Sequence, residues 1–562
     1  MYRTHNCREL CKKNIGDQVI LSGWINQIRN LGSLFFIDIR DYFGITQLII
    51  DKNKIKENLG KEFLIKIEGK VVERYSKNYD LHTGSIEVIV SKIKILNKSI
   101  PLPFNINKKE IDGKEEDRMT YRYLDIRRSS IKENLIFRHN IVLKIRNFLS
   151  NNNFIEIETP MLINHTPEGA RSFFVPSRKY QNKFYSLPQS PQMFKQLLMI
   201  GGIDRYFQIV KCFRDEDSRS DRQIEFTQID CEMAFVEIEG ILKFFEKFIH
   251  YIFYINNIKL LNKKFTVIPY KESIKKYGTE SPDIRYGMEF CNLNSLIYKE
   301  NIHSLVENEL IIGIKLENFN ETIYKKIDFL IKEIKNDNIF CIKYLSDKKI
   351  SIINNKENIN IKHLYIISKF FEIKTMSYIF ISYGKKHLAR FILNKIRNRI
   401  IKIIDIKNNK KIYSPVWITD HPILKWKKKQ KIYKSMHHPF TSPKEEDIHL
   451  LKTNPEKVRS KSYDLIINGI EIASGSIRIH KKNIQNIIFK HLGFSYKKIN
   501  SIFGFFTKAL EYGAPPHGGI AFGLDRLITL LRNSDNIKNF IAFPKNNSGK
   551  DLMTNAPSKK IE

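Results

Sequence analysis

Apolar and polar positions alternate in short runs from Gln18 to Leu96, the two-residue period of strands that bury one face. Five runs carry the pattern: Gln18–Ile25, Ser33–Arg40, Gly44–Ile50, Glu62–Glu73 and Gly84–Leu96, with a polar helix expected near Lys54–Lys61. Three strands, a helix and two strands is the order of an OB-fold, a small barrel that often binds single-stranded nucleic acid. In Ser33–Arg40 the alternation sets Phe35, Ile37 and Ile39 on one face and Leu34, Phe36, Asp38 and Arg40 on the other. Phe36 then lies among charges on the wetter face. Its ring is suited to stack a nucleobase there, with Gln47 on the next strand in reach of a base edge. The alternative is a phenylalanine that covers the barrel rim.

Residues 105–129 follow with Gly113 and the charge run Lys114–Arg118, the texture of a hinge between the barrel at 1–104 and what comes next. From Ser130 the apolar positions recur at helical intervals through Leu135, Val142, Ile145 and Leu149, until Asn151–Asn153 should end the helix. A strand is expected over Phe154–Pro160. Further alternating segments lie at Lys183–Ser186, Tyr206–Glu216 and Glu225–Glu232, before a helix near Glu239–Phe253. Between 287 and 413 the texture turns Ile/Lys/Asn-rich and carries no chemical motif. Sharp signals resume at Pro415-Val-Trp417. This predicts one domain in two parts, 130–286 and 414–562, split by an inserted α/β domain.

Composition sharpens the class. The chain has 562 residues, room for about three to five domains. Hydrophobic residues make up 42%, which argues against disorder. Lys plus Arg number 95 against 60 Asp plus Glu, a net charge of +35. Such a field favours a polyanionic partner, although lysine-rich drift, as in Ile400–Lys411, explains part of it equally well. The six cysteines form no CxxC pair and no Cys/His cluster with zinc spacing, which fits a reducing compartment. Without an apolar leader or a run of membrane-spanning length, the reading is a soluble, cytoplasmic protein with no membrane partner.

Three constellations carry chemistry. In the first, Phe213-Arg214-Asp215-Glu216 and Phe226-Thr-Gln228-Ile-Asp230-Cys-Glu232 flank a polar loop that holds Gln223. Period two places Arg214 with Glu216, and Gln228, Asp230 and Glu232 together on the return strand. A fixed guanidinium can bind phosphate or carboxylate and the acids can receive amino groups; a surface salt-bridge ladder is the alternative. The second runs from Tyr463 to Arg478. Its Asn468-Gly469 predicts a two-residue turn pairing Ile467 with Ile470 and Ile466 with Glu471, so that Asp464 and Glu471 share a face. Paired carboxylates suit a magnesium ion carried in with a nucleotide; an exposed acidic hairpin is the alternative. Arg478 reaches the same face only through a bulge, expected at Ser474-Gly475-Ser476. The third, Gly513 to Leu531, is a glycine-bracketed strand running into an apolar helix that carries Asp525 and Arg526 in its first turn. Its glycines would let a ligand approach the backbone, and its helix start favours a polyphosphate.

Taken in this order behind the Pro-terminated helix and strand, the constellations resemble motifs 1, 2 and 3 of class II aminoacyl-tRNA synthetases. Thr166–Arg171, Leu187–Leu198, Gln208–Asp217, Tyr277–Arg285 and His437–Pro443 further resemble the bacterial-type aspartyl-tRNA synthetase family. The resemblance implies an α+β multidomain chain: an N-terminal anticodon-binding OB-fold, an antiparallel sheet flanked by helices, and a homodimer built around motif 1. The substrates would be L-aspartate, ATP and tRNA(Asp), with Mg2+ accompanying ATP and no DNA partner. Arg214, Glu471 and Arg526 would be catalytic. Arg214 would hold the α-phosphate, with Asp215, Glu216 and Gln223 beside the nucleotide; Arg526 would hold the γ-phosphate next to Gly523, Leu524 and Asp525. Asp464 and Glu471 would hold the metal. Lys195 and Arg478 would read the aspartate side chain, Glu168, Ser190, Gln192 and Asp230 would surround its ammonium, and His437 would close the pocket. Arg29, Phe36, Gln47 and Glu87 would bind the anticodon.

Departures and rivals belong to the same picture. The family's basic stretch after Gly23-Trp24 is here Gln27-Ile28-Arg29-Asn30, leaving Arg29 as its main cation. Leu31 leans towards charging tRNA(Asp) alone. An asparaginyl- or lysyl-type enzyme is the near rival, disfavoured by Lys195 with Arg478: a lysine pocket wants acids, and an asparagine pocket would leave a lysine unpaired. An OB-fold RNA-binding protein with a decayed synthetase domain is the distant one, disfavoured by the intact Arg214, Asp464, Glu471 and Arg526.

Overall fold

The computed structural model describes the chain apart from residues 56, 108–111, 168, 301–304, 306–308, 318, 335, 337, 345–349, 354–358, 360, 374, 408–411 and 560–562. It divides into two compact units, Met1–Ser129 and Ser130–Glu562.

In the first unit β1 (Gln18–Leu31), β2 (Leu34–Arg40), β3 (Ile45–Asp51), β4 (Leu64–Glu73) and β5 (Ile86–Asn97) close a barrel in the order β1-β2-β3-β5-β4. The alternation explains its core: Val19, Leu21, Ile25, Ile37, Ile39, Leu48 and Ile50 all point inward. β1 runs six residues past its predicted end at Ile25. A register shift between Ile25 and Gln27 lets it pair with β4 along its first half and with β2 along its second. The helix expected at Lys54–Lys61 is absent from the described residues. A single 3-10 turn, Lys52–Lys54, takes its place, capped by Asp51, whose side chain accepts from the Asn53 N–H. So short a stretch, containing Asn58 and Gly60, cannot nucleate a helix.

The hinge expected at 105–129 is also more ordered than its charges suggested. Two short helices, Glu115–Thr120 and Arg122–Asp125, occupy it. Asp125 is fully buried and accepts from Arg122 and Arg128. Arg127 pairs with Glu62 at 2.8 Å and lies 4.7 Å over the Trp24 ring, which fastens the segment to the barrel.

The second unit is organised by one eight-stranded sheet. Its strands, in chain order, are β6 (Ile155–Glu156), then, after the separate hairpin β7 (Phe174–Pro176) and β8 (Phe184–Ser186), β9 (Arg205–Phe213), β10 (Glu225–Ala234) and β11 (Thr266–Pro269). After the intervening segment come β17 (Pro415–Thr419), β20 (Ser462–Ile467), β21 (Ile470–Ile477) and β22 (His517–Gly523), with a small hairpin β18 (Leu424–Lys427) and β19 (Ile432–Ser435) between them. The order is β11-β17-β20-β21-β22-β10-β9-β6. The six inner strands are antiparallel and the two edge strands pair in parallel. β6 covers only two residues of the strand expected at Phe154–Pro160, Ile155 and Glu156, beyond which the Ile157 N–H still donates to Phe207 O of β9. The preceding helix, Ser129–Ser150, ends as expected, with Asn153 in the left-handed region.

Period-two alternation gives the sheet two different faces. Ile229, Cys231 and Met233 of β10 and Ile520 and Phe522 of β22 pack on Phe245, Phe248 and Ile252 of the helix Ile238–Tyr254. The opposite face carries the polar residues of the same strands. The chain leaves the sheet after β11 and returns on the adjacent β17. Between them β12 (Cys291–Asn292), β13 (Leu310–Glu317), β14 (Ile339–Tyr344), β15 (Ile350–Ile353) and β16 (Ser377–Gly384) form their own sheet in the order β12-β13-β16-β14-β15. Each face of that sheet has its own apolar cluster, one including Ile314 and Phe380, the other Ile311 and Ile379. An insertion between an edge strand and its neighbour leaves the large sheet unbroken.

Candidate active site

The polar face of the large sheet opens into a cavity of about 470 Å³. Ser190, Gln192, Lys195, Arg214, Glu216, Gln223, His437, Asp464, Glu471, Arg478, Gly523, Asp525 and Arg526 all line it. Residues some 340 positions apart in sequence thus meet as the pattern anticipated. Cross-strand register does the placing. Asp464 lies opposite Ser474, Ser474 opposite Ala521 and Ala521 opposite Asp230, one row across four strands. The next row runs Ser462, Ser476, Gly519, Glu232.

The hairpin pairs Ile467 with Ile470 and Ile466 with Glu471, across a turn with positive φ at both Asn468 and Gly469. The bulge that Arg478 requires is present, but it falls at Ile472, between Glu471 and Ala473, not at Ser474-Gly475-Ser476. Ser474 to Ser476 pair regularly because Gly475 is pressed against the next strand: a Cβ there would lie 2.3 Å from Gly519 O.

At the closed end of the cavity four charges interlock. Lys195 Nζ lies 2.5 Å from Asp230 Oδ1 and 3.2 Å from Glu232 Oε2, while Arg478 donates to both Glu232 oxygens at 2.8 and 3.1 Å. All four side chains are essentially buried. Both cations and both acids were read from the sequence; the structure pairs them, so the quartet is balanced and its specificity comes from direction more than net charge. Burial raises the Asp230 carboxyl, against the pull of Lys195. Burial would raise Glu232 too, but the Arg478 charge and then that of Lys195 hold it down at about 2. Gln192 Nε2 and Asp230 Oδ2 are buried with no hydrogen-bond partner among the described residues, one donor and one acceptor left for a ligand.

At the open end Arg214 lies 5.0 Å over the Phe226 ring, with its guanidinium in the cavity. Glu216, past the end of β9, faces Arg222 at 3.5 Å. Gln223 accepts from the Lys545 N–H at 2.8 Å. Arg526 donates to Glu471 O at 3.0 Å and to Asp221 Oδ2 at 3.1 Å. Desolvation and then the Asp464 charge raise the Glu471 carboxyl. Asp464 is lowered: burial opposes this, and His437 and His421 outweigh it. Burial pushes His437 down to about 4, so it is neutral at neutral pH.

Three expected residues are engaged otherwise than their reading supposed. Leu524 is buried in the core beneath the sheet and offers a nucleotide no side chain. Asp525 borders the cavity, but its carboxylate is engaged by Arg138 at 2.5 Å and by the Thr227 N–H at 2.9 Å, a brace between elements. Asp215 does not line the cavity, and its N–H bonds Arg171 O. Glu168 lies outside the described residues. Conversely, Asp221, His421 and His438 line the cavity without having been singled out, and Glu232, read with Asp230 as an acid on one strand face, proves to be the partner of Arg478. Parity on β10 places Glu232 with Asp230, as the register confirms; nothing in the local pattern marks His421. The glycines also differ from expectation at one point. Gly519 makes room for a protein group, not a ligand: a Cβ there would sit 1.9 Å from Glu232 Oε2.

On the barrel, Arg29 Nη2 donates to Asp38 Oδ1 at 2.9 Å and to Gln47 Oε1 at 2.8 Å, and Gln47 Nε2 donates to Glu87 Oε2 at 2.6 Å. Phe36 sits directly opposite Arg29 and is half-buried. The four expected anticodon residues therefore adjoin, with Gln47 engaged by its neighbours. Asp38 and Arg40 are buried, not on a wet face: Arg40 donates to both Glu62 oxygens.

The family described as tRNA synthetases class II (D, K and N) matches residues 114–547, and the OB-fold nucleic acid binding domain matches residues 19–96. An aspartate–tRNA ligase of Flavobacterium psychrophilum is 45% identical over 578 aligned positions, covering 99% of this chain and 97% of that protein. One of Amoebophilus asiaticus is 45% identical, covering 100% and 98%, and an aspartate–tRNA(Asp/Asn) ligase of Dictyoglomus turgidum is 45% identical, covering 100% and 96%. Among solved structures, the asparaginyl-tRNA synthetase of Pyrococcus horikoshii complexed with asparaginyl-adenylate superposes with a TM-score of 0.60 at 18% identity, over 97% of this chain and 98% of that one. That likeness concerns the fold. With full-length identity to the ligases added, the chain belongs to the aspartate–tRNA ligases, a family of class II aminoacyl-tRNA synthetases with an anticodon-binding OB domain.

Proposed function

We propose that the chain activates L-aspartate with ATP to aspartyl-adenylate and transfers it to the 3′ end of tRNA(Asp), with both steps in the cavity on the large sheet. The observation that carries this reading is the buried end of the cavity, where Lys195, Arg478 and the unpartnered Gln192 amide converge. A side-chain carboxylate accepts from all three. An ammonium there would face two cations, and a carboxamide would turn its own donors on one of them.

Arg214, which lines the cavity, would hold the α-phosphate against the substrate carboxylate. One oxygen of that carboxylate attacks the α-phosphorus in line; the new O–P bond forms as the bond to the β-phosphate oxygen breaks, and pyrophosphate leaves. Arg526, steadied by Asp221 and Glu471 O, receives the γ-phosphate end. The terminal ribose hydroxyl of the tRNA then attacks the adenylate carbonyl and AMP departs. Orientation and charge neutralisation carry the acceleration; no side chain is covalently altered. A magnesium ion fits here, because Asp464 Oδ1 is buried without a hydrogen-bond partner among the described residues and Glu471 shares its face. Asp464 and Glu471 would hold it, and it would neutralise phosphate charge.

On the barrel we assign base stacking to Phe36 and phosphate or base-edge contacts to the Arg29–Gln47–Glu87 chain. The homodimer belongs to the same proposal: Leu143 of the helix Ser129–Ser150 and Ile155 of β6 are exposed apolar residues that a second copy would cover. Pyrophosphate exchange into ATP tests the activity. It should depend on aspartate and not on asparagine or lysine, and Lys195→Leu should abolish it; exchange indifferent to aspartate would refute the assignment. Charging of purified tRNA(Asp) and tRNA(Asn) decides tRNA scope. The expected result is charging of tRNA(Asp) alone, with Leu31 exposed at the end of β1.

A further inference from the structure

One side chain of the cavity, His421, has no part in this chemistry, and it joins two that do. His421, in the turn after β17, is 2% exposed and stacks beside Tyr270 at 5.1 Å. Its Nε2 lies 3.2 Å from Asp464 Oδ2, and His437 Nε2 lies 3.6 Å from the same oxygen. Each imidazole is held from behind by a serine hydroxyl. His421 Nδ1 is 3.0 Å from Ser462 Oγ and His437 Nδ1 is 3.2 Å from Ser474 Oγ. The tautomer in which each Nδ1–H donates to its serine would free both Nε2 lone pairs for a cation shared with Asp464. This is the outer-nitrogen anchoring of metal-bound histidines. His421 Nε2 and Asp464 Oδ1 are buried and make no hydrogen bond among the described residues. One donor atom from each of the three residues falls within 4.8 Å of the others.

The distances suit a particular ion. A tetrahedral zinc ion with bonds of about 2.0–2.1 Å separates its ligand atoms by about 3.4 Å. The two histidine-to-carboxylate distances, 3.2 and 3.6 Å, bracket that value. Imidazole donors select borderline ions over magnesium, which takes oxygen.

We propose that His421, His437 and Asp464 form a site for a divalent ion of the zinc class, and that occupation of this site inhibits aspartate activation. The inhibition rests on the function proposed above, since the ion takes Asp464 from magnesium and His437 from the amino acid. Binding itself does not rest on it.

Cobalt(II) added to the full-length, substrate-free protein tests binding through its ligand-field absorption. One equivalent should produce a saturable band that zinc displaces and an equal concentration of magnesium leaves in place. His421→Phe, which keeps a ring against Tyr270, should weaken binding by about tenfold or more. His421→Gln serves if that variant does not fold. A missing band, a band lost to magnesium, or undiminished affinity in the folded variant overturns the site. For inhibition, the zinc concentration that halves aspartate-dependent exchange should rise about tenfold in the variant, each protein measured against its own zinc-free rate; equal sensitivity overturns that half. If aspartate-dependent exchange is absent altogether, the proposed function fails, while the cobalt titration still decides the site.

Discussion

At Gly519 the constraint is a missing methyl group. A Cβ would lie 1.9 Å from Glu232 Oε2 and 2.3 Å from Cys231 O, and the second contact is backbone that cannot swing aside. Gly519→Ala must therefore move Glu232 off Arg478 or part β22 from β10. We expect a cost of about 1–3 kcal/mol in urea denaturation and a rise of tenfold or more in the KM for aspartate. An unchanged KM would show that Glu232 does not orient Arg478. Glu232 also predicts a pH dependence. Its carboxyl is held at about 2 against an ordinary value of 4.5. A lowered folded-state value contributes stability that is complete above about 4.5 and disappears as pH falls through 2, on the order of 3 kcal/mol for such a shift. Glu232→Gln lacks this term and leaves Arg478 a buried, half-paired cation, costing about 3–5 kcal/mol near neutrality. The gap between wild type and variant in urea midpoint should narrow as pH falls from 5 towards 3; a constant gap would contradict the ionised state of Glu232.

Among elements, the β20–β21 hairpin shows what pattern can and cannot disclose. Its register was legible because Asn468-Gly469 adopts the positive φ values, 52° and 79°, that a two-residue turn needs. Gly469→Ala forces a side chain into that region and should cost about 1–2 kcal/mol, read as a lowered melting temperature. Because neither turn residue lines the cavity, exchange kcat should stay within about twofold; a large loss of kcat with unchanged stability would mean that the turn moves in catalysis. The need for a bulge was legible from the parity of Glu471 and Arg478, but its position was not. Ser474-Gly475-Ser476 has bulge-prone residues, yet Gly475 is committed to close approach between strands, and the slip moves to Ile472. The same distinction runs through the site. Lys195, Arg214, Asp464 and Arg526 stand in stretches whose residue types announce charge work. His421 stands alone in sequence, and only the adjacency of β17 and β20 brings it to Asp464. The polar stretch at Lys54–Lys61 misled in the opposite sense: helix-forming residues too few to nucleate were absorbed into a loop.

For the whole molecule the charge of +35 demands a test of its own, because the site chemistry accounts for so few of its cations. Lys195 and Arg478 are paired internally, Arg214 and Arg526 face the cavity, and Arg29 is already bound to Asp38 and Gln47. The remaining lysines include many in the Ile/Lys/Asn-rich stretch 287–413, which carries no chemical motif in its sequence. Dispersed lysines bind phosphates by counterion release, which is independent of base sequence and falls steeply with salt. The recognition proposed for the cavity and for Phe36 on the barrel would depend on stacking and hydrogen bonds, which salt affects less. Affinity for random RNA of tRNA length should therefore fall by about 10³-fold or more between 50 and 200 mM salt if the excess engages six or more phosphates. The preference for tRNA(Asp) over that RNA should widen across the same range, measured by fluorescence anisotropy with both RNAs in one salt series. If the preference instead stayed constant while both affinities collapsed in parallel, the dispersed cations would be part of cognate recognition, and the lysine-rich inserted domain would be the first place to locate them.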